Sequence, residues 1–412
     1  MDLDSTFFKN NRENLRKKLD LNSGDVVIMP ANFKLQSNND LSFPFIQDSS
    51  FFYLAGLNES DCLLVITAKH EWLFMPDNDE HLEQWSGQMS YDRASEISGI
   101  KNVIGLIEGW QLLKRYIPNF NSIKSATIYL PAPETKVSFD GVHANPAKLE
   151  LLDKLKANFP LSNYSDVYDA IDSLRVVKQS QEIAALQKAI DITGSSMKEA
   201  FKGIKNGSME YEVEAALAYG YRKHGASGVA YNSIVASGQN GCVLHYINND
   251  RPINSAELLL VDSGAKFNNY NADITRTFSI VGSPSKRQQA VLDEVELVHD
   301  FALNYLKPGV NLVDYEQAVE DRMGDSLKKL NLIKTASSKN IRKYFPTATS
   351  HFLGLDVHDV GPRDAELLPG MVLTVEPGIY IPEEAIGVRL ENNILITKKG
   401  AKNLSADIPI SF

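Results

Sequence analysis

The sequence predicts a two-domain α+β protein, with a smaller α/β domain over residues 1–172 and a larger domain of long helices and strands over 173–412. Three observations predict it. At 412 residues the chain exceeds what one hydrophobic core usually supports. In its first part, short apolar runs alternate with stretches of helical spacing. In its second part, long helical repeats are interleaved with strand-like runs.

The elements follow in order. Apolar runs at 26–29, 62–67, 71–75 and 126–130 have strand length, and residues 109–116 and 146–158 carry helical spacing. No GxxxxGK or GxGxxG string cradles a phosphate in this part. A boundary near 172 precedes a helix that Ser180 can cap, with Ile183, Leu186, Ile190, Met197 and Phe201 on one face. Ser208 can open a second helix that Gly225 closes in a left-handed cap. Two further helical stretches span about 286–306, before Pro308-Gly309, and about 312–330.

Composition excludes several classes of function. The hydrophobic share of 43% and charged share of 23% are those of a globular chain. A net charge of −10 argues against a nucleic-acid partner, which needs a basic stripe. No stretch approaches the roughly 18 apolar residues of a membrane span, and the N-terminus lacks the apolar core of a signal peptide. Cys62 and Cys242 form no CxxC pair, so two free thiols in a reducing cytoplasm are expected.

The most informative feature is an internal echo. LLLVDSGAKFNNYNADITRTF (258–278) and MVLTVEPGIYIPEEAIGVRLENNILIT (371–397) share one plan. Each runs through an apolar strand to an acid, passes a small residue or proline to a glycine, turns, and returns with a second acid. The acids are Asp262 and Asp273 in the first, Glu376 and Glu391 in the second. Hairpins centred midway, beside Asn268 and between Glu383 and Glu384, set each acid opposite its partner. Opposed Cβ atoms lie about 4.5–5.5 Å apart, so the like charges repel unless cations or protons compensate. Four carboxylates match two divalent ions in charge. Oxygen-rich ligation with an imidazole suits Mn²⁺, Co²⁺ or Zn²⁺ better than a thiolate-loving metal. Paired ions about 3.5–4 Å apart can hold a hydroxide and polarise a carbonyl.

Three of the eight histidines supply imidazole nearby in sequence. His351 and His358 stand seven residues apart in SHFLGLDVHDVG, and His245 follows the glycine-rich turn of GQNGCVLHY. One metal-binding ring and two hydrogen-bonding rings fit the acid pairs. Spacing alone leaves open which ring does which.

At these residues the C-terminal half resembles the pita-bread metallopeptidases, and the whole chain resembles the bacterial-type aminopeptidase P family. The strings that carry the likeness are SFPFIQDSSFFYLAGLNE, LRVVKQSQEI, YNSIVASGQNGCVLHY, VDSGAKFNNYNADITRTF, SHFLGLDVHDVG, TVEPGIYI and GVRLENNILIT, spread over nearly all of the chain. The resemblance implies a pseudo-twofold, curved antiparallel sheet covered by helices in the C-terminal domain. It implies an N-terminal domain that serves oligomerisation and substrate access. It also implies hydrolysis of the N-terminal Xaa-Pro bond by a hydroxide held between two divalent ions, most suitably Mn²⁺. By the same resemblance Asp262 binds one ion, Asp273 and Glu391 bridge both, and His351 and Glu376 complete the other. Glu376 also moves protons, His245 and His358 hydrogen-bond the substrate, Arg389 orients the cluster and Tyr380 supports it. The partners implied are peptides with proline in second position and a second copy of the chain, with Trp85 reaching towards a neighbour's site.

Two departures qualify the likeness. Thr347 stands where the family commonly has histidine, four residues before His351, and threonine neither titrates near neutrality nor carries a cationic donor. Asn392 stands where an acid often follows the last ligand. The alternatives are an Xaa-Pro dipeptidase and a non-catalytic binding protein of the same shape. A metal-free enzyme of the creatinase type has no use for all four carboxylates.

Overall fold

The computed structural model describes residues 3–77, 79–117, 127–132, 143–280 and 282–411. The chain forms two compact units, Leu3–Arg175 and Val176–Phe412. No helix among the described residues is long and apolar enough to cross a membrane.

The first unit is built on a six-stranded mixed sheet. Its central strand, Val26–Pro30, pairs antiparallel with Leu63–Thr67 and parallel with Thr127–Leu130. Every residue of the two central strands is buried, which explains their unbroken apolar runs. The strand Glu71–Met75 and the helices Leu106–Tyr116 and Ala147–Asn158 also form, the former helix starting three residues before its expected position. Residue 126, the first of one expected strand, lies outside the described residues. Arg12 fastens the helix Ser5–Leu19 to this unit. Its guanidinium is wholly buried, donates to both Glu71 oxygens at 3.0 and 3.1 Å, and donates to the carbonyls of Leu54 and Ser98.

The second unit carries the long helices Ser180–Phe201, Glu210–Lys223, Lys286–Tyr305 and Leu312–Lys329. Two caps differ from expectation. Ser180 is the first helical residue rather than the cap: Gln179 precedes the helix and its N–H donates to Glu182 Oε2 at 2.8 Å. Ser208 likewise yields to Met209, whose N–H donates to Glu212 Oε2, because the Ser208 hydroxyl is already taken by the N–H of Lys205. In both helices a glutamate three residues in satisfies the cap N–H, the half of a capping box that lies downstream of the cap. Gly225 adopts the expected left-handed φ of +91°.

Both echoed segments fold as hairpins, and they differ in register. In the second, Gly378 pairs with Arg389 and Val375 with Asn392, so the turn is centred between Glu383 and Glu384 as expected. In the first, Asp262 pairs with Thr275 rather than with Asp273. The reason is local: Asn268 and Asn269 both take left-handed φ values, +48° and +64°, and close a tight turn one position later than the midpoint of the acids. A two-residue change of partner keeps the side chains on one face, so Asp273 stays beside Asp262. Gly264 permits the crossing, since a Cβ there would lie 1.7 Å from the Ala272 carbonyl oxygen.

Glu182 occupies a buried position at the start of its helix, accepting from the Tyr270 hydroxyl at 2.8 Å. Burial raises its pKa from 4.5 to about 7, against the pull of Lys178. The folded chain therefore holds a proton that the unfolded chain releases between about pH 4.5 and 7, and stability falls as pH rises through that window. Replacing Glu182 with glutamine is expected to raise the melting temperature at pH 8, by an amount equivalent to at most on the order of 3 kcal/mol, and to change little at pH 4.5. Melting curves of both proteins across that range check it.

Candidate active site

The site is assembled where the two hairpins meet. Asp262 is the penultimate residue of the buried strand Leu258–Ser263, and Asp273 precedes the returning strand Ile274–Ser279. Glu391 lies between Arg389 and Asn392 of the second hairpin, and its N–H donates to the Thr275 carbonyl at 3.1 Å. Asn393 clamps Asp273 from behind, its amide group bonding both the N–H and the carbonyl of that residue. Residues 349–351 run beside the strand Val372–Val375: the N–H groups of Thr374 and Glu376 donate to the carbonyls of His351 and Thr349. That pairing sets His351 next to Glu376.

Eight of the residues singled out from the sequence line one cavity of about 370 Å³: Asp262, Asp273, His351, Glu376, Glu391, His245, His358 and Arg389; Tyr380 and Trp85 are not among its lining residues. Asp273, His351 and Glu391 each offer an atom within 4.8 Å of the others'. His351 Nε2 lies 3.5 Å from Asp273 and 3.3 Å from Glu376, while its Nδ1 faces the Phe352 carbonyl at 3.0 Å. That carbonyl can only accept, which leaves Nε2 as the ring's free donor atom for a cation. Asp262 instead faces Arg389, at 2.5 Å, and the Tyr231 hydroxyl. His358 packs edge-on to His351 with ring centroids 4.4 Å apart. Arg389 also donates to Thr275 Oγ1 and to the Tyr380 hydroxyl, so Tyr380 holds the guanidinium in place.

Electrostatics tests whether cations fit. Burial, then Asp273 and Glu376, push Glu391 well above the ordinary carboxylate range. Burial likewise raises Asp262 to about 6, although Arg389 opposes the shift. Burial disfavours a charged His351, but Asp273 and Glu376 outweigh it and hold the ring protonated. The Tyr231 hydroxyl lies 2.5 Å from an oxygen of both Asp262 and Asp273. One phenol hydrogen can serve only one of the two, so the pair needs a further proton or a cation. Four carboxylates and one imidazole nitrogen, with Asp262, Glu391 and His351 all shifted towards their protonated forms, form a donor set suited to hard or borderline divalent ions.

Two groups had no role in the sequence reading. Tyr231 opens the string YNSIVASGQNGCVLHY, and an aromatic residue at a strand entrance gave no sign of its carboxylate contacts. Thr275 donates to Glu391 Oε2 at 2.7 Å and receives from Arg389; a threonine in a strand is too common to stand out. Thr347 lines the cavity with its hydroxyl sheltered and unpartnered among the described residues. The Asn392 amide donates to His299 Nε2 and its oxygen accepts from buried Arg276. Burial drives the His299 pKa down to about 4, so a neutral amide suits that neighbour.

Comparison with known proteins agrees with this geometry. Residues 184–398 match metallopeptidase family M24, and residues 8–128 match the aminopeptidase P N-terminal domain. A Xaa-Pro aminopeptidase of Haemophilus influenzae is 31% identical, over 93% of this chain and 90% of that protein. One of Escherichia coli is 32% identical, over 93% and 91%. The structure of E. coli aminopeptidase P with the inhibitor Pro-Leu matches with a TM-score of 0.87 at 30% identity, covering 99% of this chain and 96% of that one. A zinc-substituted form of the E. coli protein in complex with product matches equally well, with a TM-score of 0.87. The chain belongs to the M24 metallopeptidases and, within them, to the aminopeptidase P family. It is accordingly a peptide hydrolase, with the pita-bread fold in its second unit.

Because the cavity holds protons that a cation would displace, adding Mn²⁺ to metal-free protein at pH 7 is expected to release about one to two protons per chain. Calorimetry in buffers of different ionisation enthalpy measures this. Uptake without proton release would contradict the charge argument.

Proposed function

We propose that this chain removes the N-terminal residue from peptides with proline in second position. Two divalent ions would be held by Asp262, Asp273, His351, Glu376 and Glu391, with Mn²⁺ the best match to the donors and Co²⁺ or Zn²⁺ the alternatives. The observation that carries the reading is the convergence of those five donors with His245, His358 and Arg389 on one cavity. When bound, such ions supply an activated water and a Lewis acid for the scissile carbonyl.

The chain's own groups do the rest. His358, whose pKa burial and the neighbouring His351 push down, is a neutral ring at pH 7 and offers an N–H to the oxygen that gains charge. His245, on the same cavity wall, serves the substrate as a second donor. Glu376, one oxygen of which faces His351, passes a proton to the departing proline nitrogen. That nitrogen carries no hydrogen in the peptide, so the site needs no acceptor for it. Arg389 and Tyr231 hold Asp262 in place. Ile234, Leu244, Ile247 and Val357 give the cavity an apolar wall for the side chain and the pyrrolidine ring. We extend the reading to a homo-oligomer in the cytoplasm, supported by Trp85, 77% exposed, and by two free cysteines.

The test is hydrolysis of an Xaa-Pro-Yaa tripeptide by Mn²⁺-loaded protein, set against the Xaa-Pro dipeptide. The tripeptide should be cleaved and the dipeptide should be the poorer substrate; the reverse order would make the chain a dipeptidase. Changing Glu376 to glutamine should lower kcat by roughly 10²–10⁴-fold. Placing histidine at Thr347 should raise kcat/KM and add to its pH profile an ionisation near 6.5, the ordinary imidazole value. A pH profile unchanged by that substitution would mean position 347 does not touch the reaction.

A further inference from the structure

Behind the cavity wall that carries His245 lies a buried carboxylate that the reaction does not use. Glu210 is the first residue of the helix Glu210–Lys223 and is wholly inaccessible to solvent. Its Oε1 accepts from the N–H and the hydroxyl of Ser237, both at 2.7 Å. Its Oε2 accepts from the Tyr246 hydroxyl at 2.8 Å and from the Arg251 N–H at 3.1 Å. The Asn240 amide reaches both oxygens, at 3.3 and 3.4 Å. These donors sit at the two ends of one segment, 237–251, and next to its one cavity-lining imidazole.

Asn249 and Arg251 anchor the C-terminal end of that segment as well, Asn249 through Ser233, Val235 and Glu214 and Arg251 through the Ser237 carbonyl and Glu257, but of these groups only Glu210 also holds Tyr246, the neighbour of His245. Gly238 to Cys242 make a single 3₁₀ turn, and residues 243–251 belong to no strand or helix. His245 is itself exposed and Tyr246 is its immediate neighbour. On the far side the turn packs against the second hairpin, where a Cβ on Gly387 would lie 1.9 Å from the Gly241 carbonyl oxygen. The loop is thus anchored at its C-terminal end by Asn249 and Arg251, and its middle, around His245, lies between a hairpin and one carboxylate. A wholly buried carboxylate is costly unless its lone pairs are filled, and here four residues fill them.

We infer that Glu210 is a positioning residue for the peptidase reaction: it fixes the loop 237–251 so that His245 meets the substrate. The inference rests on the proposed role of His245. A displacement of about 1 Å in such a group can cost up to about 100-fold in rate. Neither oxygen of Glu210 reaches the acid cluster in any hydrogen bond described, so its loss should leave metal content intact.

The experiment is a double-mutant cycle in the full chain loaded with Mn²⁺, combining His245→Ala with Glu210→Gln and, because Glu210 changes can impair folding, with Tyr246→Phe. Expected are a kcat for Glu210→Gln lowered about 10–100-fold, unchanged Mn²⁺ content, and no further loss when His245 is already alanine. Tyr246→Phe should show the same non-additivity at smaller size. Hydrogen exchange should rise in peptides covering 237–251 and stay level in those carrying the five proposed ligands. If Glu210→Gln and Tyr246→Phe lower kcat as much in the His245→Ala background as alone, the inference is overturned while the role of His245 stands. If His245→Ala leaves kcat unchanged, the role of His245 fails and the inference falls with it.

Discussion

Mutual repulsion among buried carboxylates is the constraint on which the second unit is built. Asp262, Asp273 and Glu391 are each at most 7% exposed and share one cavity with Glu376. Like charges in a medium of low dielectric constant are tolerated only with protons or cations between them. Protons and hydrogen bonds meet part of that demand: acids beside His351 favour its protonated ring, burial raises Glu391 and Asp262, and one phenol lies between two aspartates. A set of hydrogen bonds around the cluster keeps the groups from moving apart. Arg389 and Thr275 tie one hairpin to the other, Asn393 grips Asp273 front and back, and paired backbone from 349 to 376 locks His351 beside Glu376.

Much of this was legible in the sequence because the constraint leaves a written trace. An apolar run that ends in an acid cannot be a solvated face, and two such runs with returning acids told of a site rather than a surface. The second hairpin could be centred by arithmetic because Pro382 and the acids after it mark its turn. The first could not be centred so closely: two adjacent asparagines in left-handed conformation moved the turn by one position, a preference that spacing between acids does not contain. Helix starts were misplaced by one residue for a similar reason. Serine is a favoured cap residue at Ser180 and Ser208, whereas the glutamates at 182 and 212 supply the deciding hydrogen bonds. Tyr231 and Thr275 were invisible because their importance lies in whom they face across the fold.

The departures at Thr347 and Asn392 take on meaning only in three dimensions. Thr347 presents to the cavity a sheltered hydroxyl, a group that neither carries charge nor titrates near neutrality. Asn392 joins a buried guanidinium to a neutral imidazole, and a carboxylate in its place would add charge to a layer that already backs Glu391.

Whether Asp262, Asp273, His351, Glu376 and Glu391 together hold two cations can be seen by anomalous diffraction at the manganese edge from a crystal of the Mn²⁺-loaded protein. Two peaks about 3.5–4 Å apart are expected, one beside Asp262 and one beside His351, with Asp273 and Glu391 between them. A single peak, or two peaks outside the cavity lined by these residues, would contradict that arrangement.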